Sequence, residues 1–309
     1  MDFEQDIKDF VLASLPLDDG VRCELATQSP HSLLVIYHNW TNRLVEPRPR
    51  RVHVANAVRT SPHLKDAAIR EALQVVAGAL KLGRNVTPHL SRSIRTAYVP
   101  KAKRRPFRHR ADLDLMLNNW GLHHLHLSVA SGHPGFVKRT NDLLVAAIRP
   151  DDAYLVGIIR HKEWTKQKLI HTIIEEWPDA DLVYRVRGVT PSGPPPTDED
   201  VAVIRSKHSN VGIHYKGALY MPSLGITGAG TTMQASLWAD HIMRNVDWLN
   251  RGMAGDLGFV AKLMAGQGTV PPVDPKWRFT FHDIGGFGLI DHASGKGIRL
   301  MNNNSVAPI

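Results

Sequence analysis

The sequence predicts an α+β protein, and three observations carry that expectation. Segments with apolar residues at helical spacing are interleaved with short runs that alternate with period two or are apolar throughout. Three such runs, at 122–129, 143–148 and 154–159, follow one another closely, which predicts a three-stranded antiparallel meander flanked by helices. With 43% hydrophobic and 22% charged residues in 309, the chain can bury a sizeable core and falls outside the disordered class.

Taken in order, residues 3–14 read as an amphipathic helix, 33–38 as a strand, and 51–57, beyond the Pro47-Arg48-Pro49 punctuation, as another strand. Ser61-Pro62 reads as an N-cap followed by proline in the first turn, Ile69, Leu73, Val76 and Leu80 recur at helical spacing, and Gly83 supplies the C-cap. A helix is expected at 111–118. In 122–129 the alternation puts His124, His126 and Ser128 on one face and Leu125, Leu127 and Val129 on the other. Arg149-Pro150-Asp151-Asp152 is turn chemistry between the next two runs. A helix at 165–177, with Leu169, Ile173 and Trp177 as its stripe and Pro178 as its stop, completes this region. The stretch 188–196 contains four prolines and excludes helix and central strand, so it reads as a linker. Domains are therefore expected at 1–110, 111–187 and 197–309. The last reads as a helix at 197–207, strands at 211–214 and 218–221, a Gly-rich loop at 225–232 with Thr231 or Thr232 as N-cap, a helix at 231–249, and a hairpin of 278–283 with 287–291.

Charge is concentrated. Residues 84–110 hold nine Lys or Arg and no Asp or Glu, matching the net charge of +9 of the whole chain. Tyr98, Phe107 and His109 interrupt the run, and Arg48, Arg50 and Arg51 form a second cluster upstream. This pattern points to a polyanion, with Arg95, Lys101, Lys103, Arg104, Arg105, Arg108 and Arg110 as a track for a nucleic-acid backbone, RNA being favoured. An acidic inhibitor or antitoxin protein is the other partner class that such a run would suit. Cys23 is the only cysteine, so an intramolecular disulfide and a multi-cysteine metal site are excluded. An acidic start and the lack of any run of about 18 apolar residues predict a soluble cytoplasmic protein without a membrane partner.

His123-His124-Leu125-His126 is the densest group of titratable side chains. His124 and His126 on one strand face could hold a metal, as in a His-carboxylate metallohydrolase, but a His-x-His barrel would need about 250 residues. His126-Leu127-Ser128 is one half of a two-histidine phosphodiesterase pattern, with no matching half on an expected facing strand. Ordinary hydrogen bonding in a core is the plain alternative for each histidine taken singly.

From Phe136 the chain runs Val137-Lys138-Arg139-Thr140, strand, acidic turn, strand, then Arg160-His161-Lys162. Basic residues before apolar antiparallel strands with a basic and His cluster at the exit resemble the core of the RelE-like endoribonuclease toxins, over about 136–171. The resemblance implies RNA cleavage through the ribose 2'-hydroxyl, with no metal and no cofactor. It implies that Lys138 and Arg139 clamp the scissile phosphate and that His161 moves the proton with Lys162 nearby; His124 and His126 could serve the same sheet face. The expectation is thus a nucleic-acid-processing enzyme, a metal-independent endoribonuclease of toxin or defence type, with a non-enzymatic nucleic-acid-binding protein as the alternative. Whether His161 meets the His124 face depends on strand register, which only the pairing decides.

Overall fold

The structure, a computed structural model, describes residues 1–100, 110, 112–256, 258–282, 286–300 and 306–308. Its elements in chain order are α1 (Phe3–Ser14), α2 (Asp19–Ala26), α3 (Pro30–Thr41), β1 (Arg51–Val54), α4 (Asn56–Arg59), α5 (Ala67–Leu82), α6 (Leu115–Trp120), β2 (His123–His126), β3 (Asp142–Ile148), β4 (Asp152–Arg160), α7 (Lys168–Glu176), β5 (Tyr184–Arg185), α8 (Asp198–Ser206), β6 (Ile213–Tyr215), β7 (Ala218–Met221), α9 (Met233–Gly255), α10 (Phe259–Gly266), β8 (Trp277–His282), β9 (Gly286–Asp291), β10 (Gly297–Leu300) and β11 (Val306–Pro308). The fold is α+β, with sheets ordered β1-β4-β3-β2, β11-β10-β9-β8 and β5-β7-β6.

Contacts divide the chain into two compact units, Met1–Thr41 with Ala235–Ile309, and Asn42–Gln234. The boundary expected at 110 and the Pro-rich stretch 188–196 both fall inside the second unit. Strand pairing is the reason: β1 bonds to β4 across the first, and β5 bonds to β7 across the second.

In the first unit α1 buries Phe3, Ile7 and Val11. The Phe279 N–H of β8 donates to Asp6 Oδ2 at 2.9 Å, and Phe10 stacks on Phe281 at 4.4 Å. The strand expected at 33–38 is the middle of α3. Its apolar run is long enough for either element; the decision lies at its start, where the Ser29 hydroxyl accepts the Ser32 N–H at 3.2 Å and Pro30 opens the helix.

The second unit is built on the mixed sheet. β1 runs parallel to β4, while β4, β3 and β2 form the expected antiparallel meander. On one face α5 packs Ile69, Ala72, Val76 and Leu80 against Leu125, Leu144, Ala146 and Leu155. On the other, α7 packs Leu169, Ile170 and Ile173 against Leu143, Val145, Val156 and Ile159. Each such Val, Leu or Ile side chain contributes about 1.5–3 kcal/mol on burial, the alanines less. The helix expected at 111–118 begins instead after Asp114, whose carboxylate accepts the Leu117 N–H at 3.0 Å, and it ends at Gly121 with φ of 70°.

The cluster Arg48, Arg50 and Arg51 is spent on the fold. Arg48 pairs with Asp151 at 2.9 Å, Arg51 makes two bonds to Asp152 at 2.9 and 2.7 Å, and Arg50 donates to the carbonyls of Arg149, Glu46 and Arg48. These arginines fasten β1 to the turn before β4, and the acidic turn residues Asp151 and Asp152 pair with Arg48 and Arg51.

One irregularity positions chemistry. Val145 pairs with Gly157 but Ala146 with Leu155, which leaves Val156 as an extra residue in β4. Before this bulge Ala153 and Leu155 face α5; after it Gly157 and Ile159 face α7, where an added Cβ on Gly157 would lie 2.9 Å from Leu169. The phase change carries His161, two residues past Ile159, to the α7 face.

Candidate active site

β2 pairs with β3 so that His126 lies beside Leu143, and Leu143 lies beside Ile159 of β4. The His161 N–H donates to Asn141 O at 3.0 Å, extending the ladder one step. Register and bulge together bring His126 and His161 to a ring separation of 5.8 Å, with His124 6.5 Å from His126. Trp164 closes the group, 5.0 Å from His124 and 5.2 Å from His161. His123 faces the other way, buried, with Nε2 3.2 Å from Asn42 O, and burial lowers its pKa to about 4. Ser128 lies past the end of β2 and accepts the Ala130 N–H at 3.2 Å, so the His126-Leu127-Ser128 half-motif does not extend along the strand.

Each imidazole has a distinct environment. His124 Nδ1 is 3.2 Å from Asp114 Oδ2, an ion-pair contact whose geometry falls short of a hydrogen bond. Burial acts to raise the Asp114 pKa, but the charge of His124 and the Leu117 N–H outweigh it and hold the carboxylate at about 2. The Thr140 N–H donates to His126 Nδ1 at 3.4 Å, which places the proton of the neutral ring on Nε2. That Nε2 is buried and makes no hydrogen bond among the described residues. Burial first, then Arg139 and the charge that His124 and His161 carry when protonated, lower the His126 pKa to about 4. His161 is lowered in the same direction by burial, Arg139 and His124. At neutral pH His126 and His161 are therefore uncharged.

The expected basic residues separate into groups. Lys138 and Arg139 are exposed in the connection from β2 to β3, which is pinned by the Ser131–Val137 bridge and by the Lys138 N–H donating to Ala130 O at 2.8 Å. Arg139 reaches both the His126 and His161 rings electrostatically. Lys162 has φ of 81° and lines a cavity with His124 and Trp164. Arg95 lies over the Phe136 ring at 4.8 Å and donates to Pro134 O. Arg110 is paired with the buried Asp112 through bonds of 3.2 and 2.8 Å and lies 4.3 Å from the Tyr98 ring, so its charge is already balanced. Lys101, Lys103, Arg104, Arg105 and Arg108 lie outside the described residues. Asp112 also accepts the Val99 N–H at 3.0 Å, which ties residue 99 to residue 112.

Asp114, Thr140 and Trp164 were not among the expected site residues. An aspartate three residues before Leu117 is a readable N-cap signal, but its contact with His124 depends on where α6 meets β2. Among the described residues no three His, Cys, Asp or Glu side chains are placed to hold a metal ion, and none of the helices is long and apolar enough to cross a membrane. No protein-family model, curated protein or solved structure matches this chain.

Proposed function

We propose that the second unit processes nucleic acid, cleaving RNA at its own 2'-hydroxyl without a metal. The observation that supports this most is the convergence of His124, His126 and His161 on one sheet face, in different electrostatic settings. RNA carries its own nucleophile, so the protein has only to move two protons and stabilise a phosphorane near pH 7.

In this reading neutral His161 takes the 2'-hydroxyl proton as the 2'-oxygen attacks phosphorus. The bond from phosphorus to the 5'-oxygen breaks, and protonated His124, held against Asp114, delivers a proton to that oxygen. The products are a 2',3'-cyclic phosphate and a free 5'-hydroxyl, and solvent exchange restores both imidazoles. His126 Nε2–H donates to a non-bridging oxygen, and Arg139 offsets the charge that develops there. The basic stretch would supply the sequence-independent part of the affinity.

The test is incubation of total RNA in EDTA with wild type and with the His124→Ala/His126→Ala/His161→Ala variant. Wild type is expected to leave fragments with 2',3'-cyclic ends, and the variant to leave the RNA intact. Intact RNA in both lanes would overturn the proposal; RNA retained but uncut in both would favour a binding protein.

A further inference from the structure

A cavity of about 460 Å³ opens beside His124, within the range that holds a small organic group. Leu113, Met116 and Trp164 make much of its wall, and Lys162 and Arg205 also line it. Arg205, on α8, is 3% exposed. Its Nε donates to Asn119 Oδ1 at 3.1 Å, its Nη1 donates to Trp164 O at 2.5 Å, and its guanidinium carbon sits 4.0 Å from the Trp120 ring centre. Among the described residues its Nη2 makes no hydrogen bond and no carboxylate lies within ion-pair distance of the side chain. A buried guanidinium ordinarily has its donors matched, because an unmatched one costs free energy. Lys162 adds a second donor, from a backbone conformation that a lysine rarely adopts.

The occupant these walls suit is flat, largely apolar on its faces, and rich in acceptors on one edge. A phosphate fits poorly against Leu113, Met116 and Trp164; the hydroxyls of Ser91, Ser93, Thr165 and Ser206 also line the cavity, and the one carboxylate of its lining, Asp114, is engaged by His124 and the Leu117 N–H. We propose that this cavity is a subsite for one unpaired keto base, guanine or uracil, next to the scissile phosphate. The position of that phosphate rests on the ribonuclease reading; the chemistry of the cavity does not. Trp164, which touches both His124 and His161, would couple base occupancy to the geometry of the imidazoles.

Calorimetric titration of the full chain with GMP, UMP, AMP, CMP and inorganic phosphate tests the assignment. GMP and UMP are expected to bind about tenfold or more tighter than AMP and CMP, the discrimination an arginine donor gives between base edges. Inorganic phosphate should not compete. Arg205 also holds Asn119 and Trp164, so replacing it risks the fold; the informative variant is Ala202→Trp, at an exposed position of α8 that lines the cavity. It should abolish the preference. Equal or absent binding of the four nucleotides, competition by phosphate, or binding that survives Ala202→Trp would overturn the proposal. Keto-base binding by a protein that leaves RNA intact would sustain the subsite and sink the ribonuclease reading.

Discussion

At the scale of single residues, His126 shows how placement rather than residue type sets chemistry. Its ring is 2% exposed, one nitrogen accepts a backbone N–H, and the other has no protein partner. Arg139 is the cation that its ring shares with His161 as a depressing influence, second only to burial in both cases. If His161 is the base, activity should persist below its ordinary value of 6.5 and fall as pH drops through the lowered pKa. Arg139→Gln removes a cation that disfavours the imidazolium, so the acid limb of kcat/KM should move to higher pH, together with a lower plateau. An unmoved limb, or one shifted to lower pH, would remove Arg139 from this role. The types at these positions were legible in the sequence. That Arg110 is neutralised by Asp112 was not, because the cost of leaving Asp112 unpaired arises only from its burial.

At the scale of elements, the decisive feature is the bulge at Val156. Period-two patterning predicts strands but assumes that the period is unbroken, and one inserted residue exchanges the faces of everything beyond it. Gly157 accommodates the close approach of α7 at that point. Gly157→Val would push a branched side chain into Leu169 and is expected to lower stability by about 1–3 kcal/mol, read from the midpoint of urea unfolding with an unchanged slope. A variant as stable as wild type would mean that Leu169 simply moves aside. Helices with caps were the most readable elements: Phe3–Ser14 is found with the expected limits, and Gly83 ends α5 with φ of 70°. α3 was misread because Leu33 to Tyr37 is apolar at every position, which leaves neither period visible.

At the scale of the whole molecule, both compact units bury neutral imidazoles. Burial lowers His38 in the first and His123 and His126 in the second to about 4 from 6.5. The unfolded chain takes up these protons below 6.5 while the folded chain does not, so stability is full above that value and is lost as pH falls toward 4. For the well-buried His123 and His126 the loss is on the order of 3 kcal/mol each at the acid end. The melting temperature should therefore fall steeply between about pH 6.5 and about pH 4.5, and His123→Gln should flatten part of that slope. A melting temperature independent of pH across this window would show that these rings are solvated. The two-unit division itself was not readable, because it rests on pairings such as β1 with β4, between residues about a hundred positions apart.

The sequence by itself determined the α+β class, the meander, the limits of α1 and the Gly83 end of α5, the concentration of positive charge and the identity of the histidines; the Ser61-Pro62 signal instead opens a short 3-10 turn, and α5 starts after Asp66. These are local properties, fixed by spacing and composition within a few residues. Tertiary structure alone decided that His161 joins His126, that Asp114 backs His124, that Arg48, Arg50 and Arg51 fasten β1 to the turn before β4, and that Arg205 is buried with a donor unmatched among the described residues. Each depends on register, a bulge or the meeting of distant segments, and the free energy of such contacts exists only once the chain has folded.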